Sequence, residues 1–185
     1  MNNNESISEE ALIQRMQQGD QNAMKITYDK YVGCLTAVCS RYIVNSEDVR
    51  DVLQDSFVKI FSNIDKYEYV ENASLKSWMI RIVVNDSLKF LKKTNRLKFI
   101  ESIEEYPDTP DEKLETDGIS YPVLKVMISQ LPAGYRTVFN LFVFEEKSHK
   151  EIAAILGIKE NTSASQFFKA KKILIAKITE LKKHL

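Results

Sequence analysis

Between residues 46 and 62, Val49, Val52, Leu53, Ser56, Phe57, Ile60 and Phe61 recur at intervals of three and four. An α-helix brings that spacing onto one side, so this segment must bury a stripe against neighbouring elements. Asn45 or Ser46 supplies its cap. Asp51, Gln54, Asp55 and Val58 repeat with the same period on another face. A merely solvated face has no need of Val58, so this second stripe is expected to meet a partner. The helical period extends in both directions. Ser6 with Glu9 reads as a capping box opening a helix that runs to about Gln18 and stops at Gly19. Asp20 then caps a longer segment, where Ala23, Ile26, Tyr28, Tyr31, Val32, Leu35, Val38 and Tyr42 keep helical spacing to Val44. Beyond residues 65–73, Ser74 caps a helix through Leu75, Trp78, Met79, Ile82, Val83 and Leu88 to about Lys93. Trp78 shares the apolar stripe and reads as core, whereas Asn85 suits either a core amide or an outward reader. Five glycines and four prolines leave few breakpoints for a many-stranded sheet. The expected fold class is all-α.

One stretch breaks the pattern. Residues 99–118 carry Pro107, Pro110, Gly118 and eight acidic side chains against the single Lys113, the composition of a flexible, solvated linker. Two small helical domains are therefore expected, at 1–97 and 121–185, joined by an acidic linker at 98–120. In the second half, Val123, Leu124, Met127, Ile128 and Leu131 mark a helix ended by Pro132, and Ala133 to Phe144 marks another. A short helix, a turn at Leu156, Gly157 and Ile158, and a longer helix from about Asn161 follow, the spacing of a helix-turn-helix. Ile152, Ala153, Ile155 and Leu156 are expected to form the inner face of the short helix. Phe167, Ala170 and Leu174 do the same for the long one.

The 26 basic and 26 acidic side chains cancel, but they are not mixed evenly. Basic residues gather at Arg81, Lys89, Lys92, Lys93, Arg96 and Lys98, and again along the last helix, while the linker is acidic. Cys34 and Cys39 lie within an apolar helix with no further ligand to complete a metal site, so reduced thiols in a cytoplasmic protein are expected. The N-terminus lacks the basic start and apolar core of a signal peptide, and no run approaches the roughly 20 apolar residues that span a bilayer. His149 and His184 have no Ser or Cys nucleophile beside them, and no glycine-rich phosphate loop is present. No enzymatic activity, cofactor or metal is expected.

In the helix-turn-helix, the outward positions are expected to be Asn161, Ala164, Ser165, Phe168, Lys169, Lys171 and Lys172. Small polar side chains can approach base edges, an exposed Phe can touch a thymine methyl, and lysines can hold phosphates. Arg136 and Ser148 sit where they could touch the DNA backbone nearby.

Two blocks carry a more specific likeness. LPAGYRTVFNLFVFEEKSHKEIAAILGIKENTSASQFFKAKKIL resembles region four of the extracytoplasmic-function (ECF) sigma factors, and VRDVLQDSFVKIF with SLKSWMIRIVVNDSLKFLKK resembles their region two. The matches cover about 20–95 and 121–180, in the family's order. The resemblance implies a factor that binds core RNA polymerase and directs it to promoters. It places Asp51, Gln54, Asp55, Val58 and Lys59 against the clamp helices of the largest subunit, and brings region four to the flap of the second-largest. The loop at Asn72, Ala73 and Ser74 would capture a base flipped from the non-template strand of the minus-ten element. Lys76, Arg81, Asn85, Lys89, Lys92 and Lys93 would meet that element's upstream edge and its phosphates. Thr162 joins the outward residues of the helix-turn-helix on duplex DNA at the minus-thirty-five element.

Anti-sigma and recruiting factors are partner types the resemblance adds. By resemblance the linker threads the polymerase's RNA exit path; by composition alone it is a solvated tether. Lys169 and Lys171 stand where the family often has arginine, and lysine lacks the bidentate fork that reads guanine. Weak specificity at the upstream element is the expectation. A stand-alone helix-turn-helix regulator is the alternative, but it leaves the first half of the chain without a role.

Overall fold

A computed structural model describes residues 8–68, 74–99 and 116–183. Among these the secondary structure is helical, and the chain divides into two compact units, Met1–Phe90 and Leu91–Leu185, the division falling in the last turn of the helix Leu75–Lys93, which is described with the first.

The first unit opens with α1 (Glu9–Gln17) and α2 (Gln21–Tyr42), followed by α3 (Ser46–Ser62), a 3-10 turn at Ile64–Lys66, and α4 (Leu75–Lys93). Asp20 caps α2, its Oδ1 accepting from the amides of Asn22 and Ala23 at 2.8 and 3.2 Å. Asn45 caps α3 in the same way through Glu47 and Asp48. The start of α1 departs from expectation. Ser8 is its cap, accepting from the Ala11 amide, while Ser6 lies outside the described residues. Glu9 stands at the first helical position, and its carboxylate is engaged by Tyr31 and Leu75 rather than by a local cap.

The stripe on α3 packs as its period requires. Val49, Val52, Leu53, Ser56, Phe57 and Ile60 are buried and Phe61 is half-buried. On α4, Leu75, Met79, Val83 and Ser87 are buried at four-residue intervals, and on α2 Ala23, Thr27, Tyr31, Leu35 and Val38 are buried likewise. Full burial of each large aliphatic side chain contributes roughly 1.5–3 kcal/mol, so these stripes decide the helix faces. Trp78 is only half-buried, tilted against Tyr67 with ring centroids 5.1 Å apart. Both cysteines are free thiols. Cys39 is buried, which pushes its thiol pKa up, and Cys34 is half-buried.

The second unit contains α5 (Tyr121–Ser129), α6 (Ala133–Val143), α7 (His149–Leu156) and α8 (Glu160–Lys183). Met127, Ile128, Leu131, Phe139, Ala170, Leu174 and Ile178 form its core. Ser148 and Glu151 make a reciprocal capping box at the start of α7. Gly157 ends that helix at φ +73°, a left-handed conformation that glycine adopts without Cβ strain, and its amide donates to the Ala153 carbonyl at 2.8 Å. The turn from α7 to α8 follows from this one residue. Among the described residues no helix is long and apolar enough to cross a membrane.

Candidate functional site

On α3, Asp51, Gln54, Asp55 and Val58 are all exposed, and Val58 presents 63% of its surface. Beside them an apolar groove of about 580 Å³ opens between α2 and α3, with Tyr28, Val32, Phe57 and Phe61 among its walls and Gln54 and Val58 on its lining. The groove is apolar, with Arg50 its charged lining residue and the exposed Asp51 and Asp55 on the same helix, features that suit a surface receiving a helix. Lys59 behaves differently from its neighbours. Its Nζ lies 2.5 Å from Asp86 Oδ1, and Asp86 Oδ2 accepts from Ser56 Oγ at 3.0 Å. Asp86 is only 7% exposed, so Lys59 serves as the counter-charge of a buried carboxylate and ties α3 to α4.

The outer side of α4 carries Arg81, Asn85, Lys89, Lys92 and Lys93, exposed at three- and four-residue spacing, with Lys76 and Ser74 also exposed at its start. Asn85 therefore belongs to the surface and not to the core. Asn72 and Ala73 lie outside the described residues. Ser74 Oγ accepts from the Ser77 amide at 3.2 Å, as a cap should.

The helix-turn-helix differs from expectation at several positions. Asn161, Phe168 and Lys172 are exposed and Ala164, Lys169 and Lys171 partly so, but Ser165 is 2% exposed with its Oγ donating to the Thr162 carbonyl. Thr162 is buried too. Ser163 and Gln166 on α8, with Thr137 and Asn140 on α6, complete a set of buried polar side chains. Hydrophobic periodicity reads small polar residues as outward, and here they are the packing. Ile155, expected to face inward, is 38% exposed. Arg136 is buried, its Nη1 donating to the carbonyls of Ser129 and Leu131 at 3.0 and 2.8 Å. It satisfies carbonyls that the end of α5 leaves without intrahelical donors. Ser148 is exposed but spends its hydroxyl in the capping box.

Three further features have no local signature that fixes their partners. Asp86 could have been suspected as a lone carboxylate inside an apolar helical run. An apolar groove of about 580 Å³ in the second unit, lined by Pro122, Val123, Val126 and Leu181, carries no motif. The third is the surroundings of His149: contrary to the expectation that no Ser stands beside it, its Nδ1 pairs with Ser163 Oγ at 3.0 Å, joining α7 to α8, while its ring stacks on Phe142 at 4.7 Å. Burial pulls its pKa down, opposed by the nearby Glu160 carboxylate. As pH falls, the unfolded chain takes up this proton before the folded one, so stability present above about 6.5 declines below it until the folded ring also protonates. Urea titrations at pH 7.5 and 5.5 should show a loss in the second unit that is smaller in His149→Gln.

An exposed stripe on α3, a basic face on α4 and a helix-turn-helix are together what a DNA-directed transcription factor presents. Comparison with known proteins agrees. Residues 27–97 match the family model described as sigma-70 region 2, and residues 123–174 match that described as sigma-70, region 4. The chain is 27% identical over 190 residues to the ECF RNA polymerase sigma-E factor of Haemophilus influenzae, covering 96% of this chain and 98% of that one. It is equally similar to the sigma-E factor of Salmonella typhimurium, at 27% over 190 residues with 96% and 97% covered. A solved structure of the sigma factor RpoE with the anti-sigma factor NepR from Bartonella quintana is similar at 22% identity and a TM-score of 0.48, covering 84% of this chain and 96% of that one. The chain belongs to the sigma-70 family, as an ECF RNA polymerase sigma factor with regions 2 and 4. It directs promoter-specific transcription initiation as a non-enzymatic subunit of RNA polymerase.

Proposed function

We propose a division of labour within this activity, with region two at 1–97, the linker at 98–120 and region four at 121–185. The outer stripe of α3, Asp51, Gln54, Asp55 and Val58, docks on core polymerase. The outer face of α4 meets the minus-ten element in the cytoplasm, Asn85 at base edges and Arg81, Lys89, Lys92 and Lys93 at phosphates. Asn72, Ala73 and Ser74 hold the base taken from the stack, where unstacking must be offset by a pocket. Region four sets Asn161, Ala164 and Phe168 toward the major groove of the upstream element, with Lys169, Lys171 and Lys172 at its phosphates. Thr162, Ser165 and Arg136 support that surface from beneath.

One observation carries the reading: two adjacent helices of one unit present separate exposed faces, acidic and apolar on α3, basic with an amide on α4. Purified core polymerase should retain the full chain. Fork-junction DNA should be bound tightly only by the resulting complex. Tight duplex binding by the chain alone, with no retention by core, would instead favour a stand-alone regulator.

A further inference from the structure

We infer that α1 is a positioning element for minus-ten recognition, because Gln17 and Glu9 hold the backbone where the chain leaves α3 and where it enters α4. Gln17 Nε2 donates to the carbonyls of Ile64 and Tyr67, both at 3.0 Å, where the chain leaves α3. Glu9 Oε1 accepts from the Leu75 amide at 3.0 Å, where the chain enters α4. Its other oxygen accepts from the Tyr31 hydroxyl at 3.0 Å. One short helix thus grips the backbone at both places, and it lies outside the 27–97 span matched to region 2.

The chemistry suits positioning. The Leu75 amide is the first of the four donors a helix leaves without partners, and a carboxylate there also meets the positive end of the helix dipole. Tyr31 is buried, and burial together with Glu9 pushes its hydroxyl pKa up to about 12. It therefore remains a donor throughout the physiological range and fixes the second carboxylate oxygen. Leu75 is itself fully buried, so the start of α4 has little freedom once these bonds form. Arg81 and Asn85 follow at about 9 and 15 Å along the helix axis. A shift at Leu75 would be carried to both.

This inference rests on the reading of α4 as the minus-ten element's partner. Core polymerase reconstituted with the full chain would transcribe a template library randomised across the minus-ten element, and sequencing of the transcripts would give the base preference. Glu9→Ala and Gln17→Ala should flatten that preference and lower transcript yield several-fold, while retention by core polymerase stays at the unmodified level. Glu9→Gln keeps an acceptor for Leu75 and should recover much of the preference, which guards against reading a folding defect as a positioning one.

Asn85→Ala separates the two claims. If it flattens the preference and the α1 variants do not, α1 has no positioning role. If neither does, α4 is not the reading helix and the inference falls with it. Loss of core retention in proportion to yield, with the preference intact, would also overturn the inference, leaving Glu9 and Gln17 as structural ties alone.

Discussion

Truncation of Leu174 to alanine is expected to lower the stability of the second unit by about 3 kcal/mol, within the 2–5 kcal/mol span of buried leucine deletions. Leu174 is fully buried on α8 and belongs to one core with Met127, Ile128, Leu131 and Phe139. Neighbours drawn from α5 and α6 cannot all relax into the vacated space without disturbing the stripe that faces α8. A unit of this size has a total stability of only a few kcal/mol, so the loss should leave a measurable unfolded fraction near 37 °C. Urea denaturation followed by amide exchange should place the effect in residues 121–183 and leave α1 to α3 protected as before. Upstream-element contacts should weaken in parallel, while retention by core polymerase through α3 persists. A change below about 1 kcal/mol would mean that this core is looser than its burial implies.

Helix existence and caps could be read from the chain because both are local. A three-four period needs only its own residues to declare a face, and Asp20, Asn45 and Ser148 cap amides two or three positions away. The errors lie where the partner is distant or where a small polar residue packs. Local pattern puts Glu9 in a capping box with Ser6, three positions away, yet it bonds to Leu75, 66 positions along the chain. Asp86 meets Ser56 and Lys59 across 30 and 27 positions, pairings with no local signature.

Ser165 and Thr162 carry hydroxyls, which usually face outward. A helix packed tightly through small side chains can instead turn them inward and satisfy them on its own backbone. Arg136 shows the same limit for charge, since basic character suggested a phosphate while its guanidinium serves two carbonyls of its own unit. The exposed stripe on α3 was predictable for the opposite reason. Its residues touch little within the chain, so nothing distant could override the period.

That stripe yields the largest functional effect. Val58→Glu is expected to reduce affinity for core polymerase by tenfold or more, about 1.4 kcal/mol at the least. The side chain is 63% exposed, so the substitution should leave folding within about 0.5 kcal/mol of the original. Docking would change that balance. A carboxylate placed at the edge of the apolar groove would have to lose its water on docking, beside two further acids, Asp55 and Asp51, one and two turns back, with Arg50 on the same lining two turns away.

Lys59, the adjacent cation, is held by Asp86 and is poorly placed to neutralise it. Lys59→Ala should therefore act through stability, by stranding the Asp86 carboxylate, whereas Val58→Glu acts on association. Competition of each variant against the unmodified chain for a limiting amount of core polymerase, alongside thermal melts, separates the two. Equal competition by Val58→Glu would remove α3 from the docking surface. Weakened competition by Lys59→Ala at an unchanged melting temperature would make Lys59 a direct contact, with its bond to Asp86 released on docking.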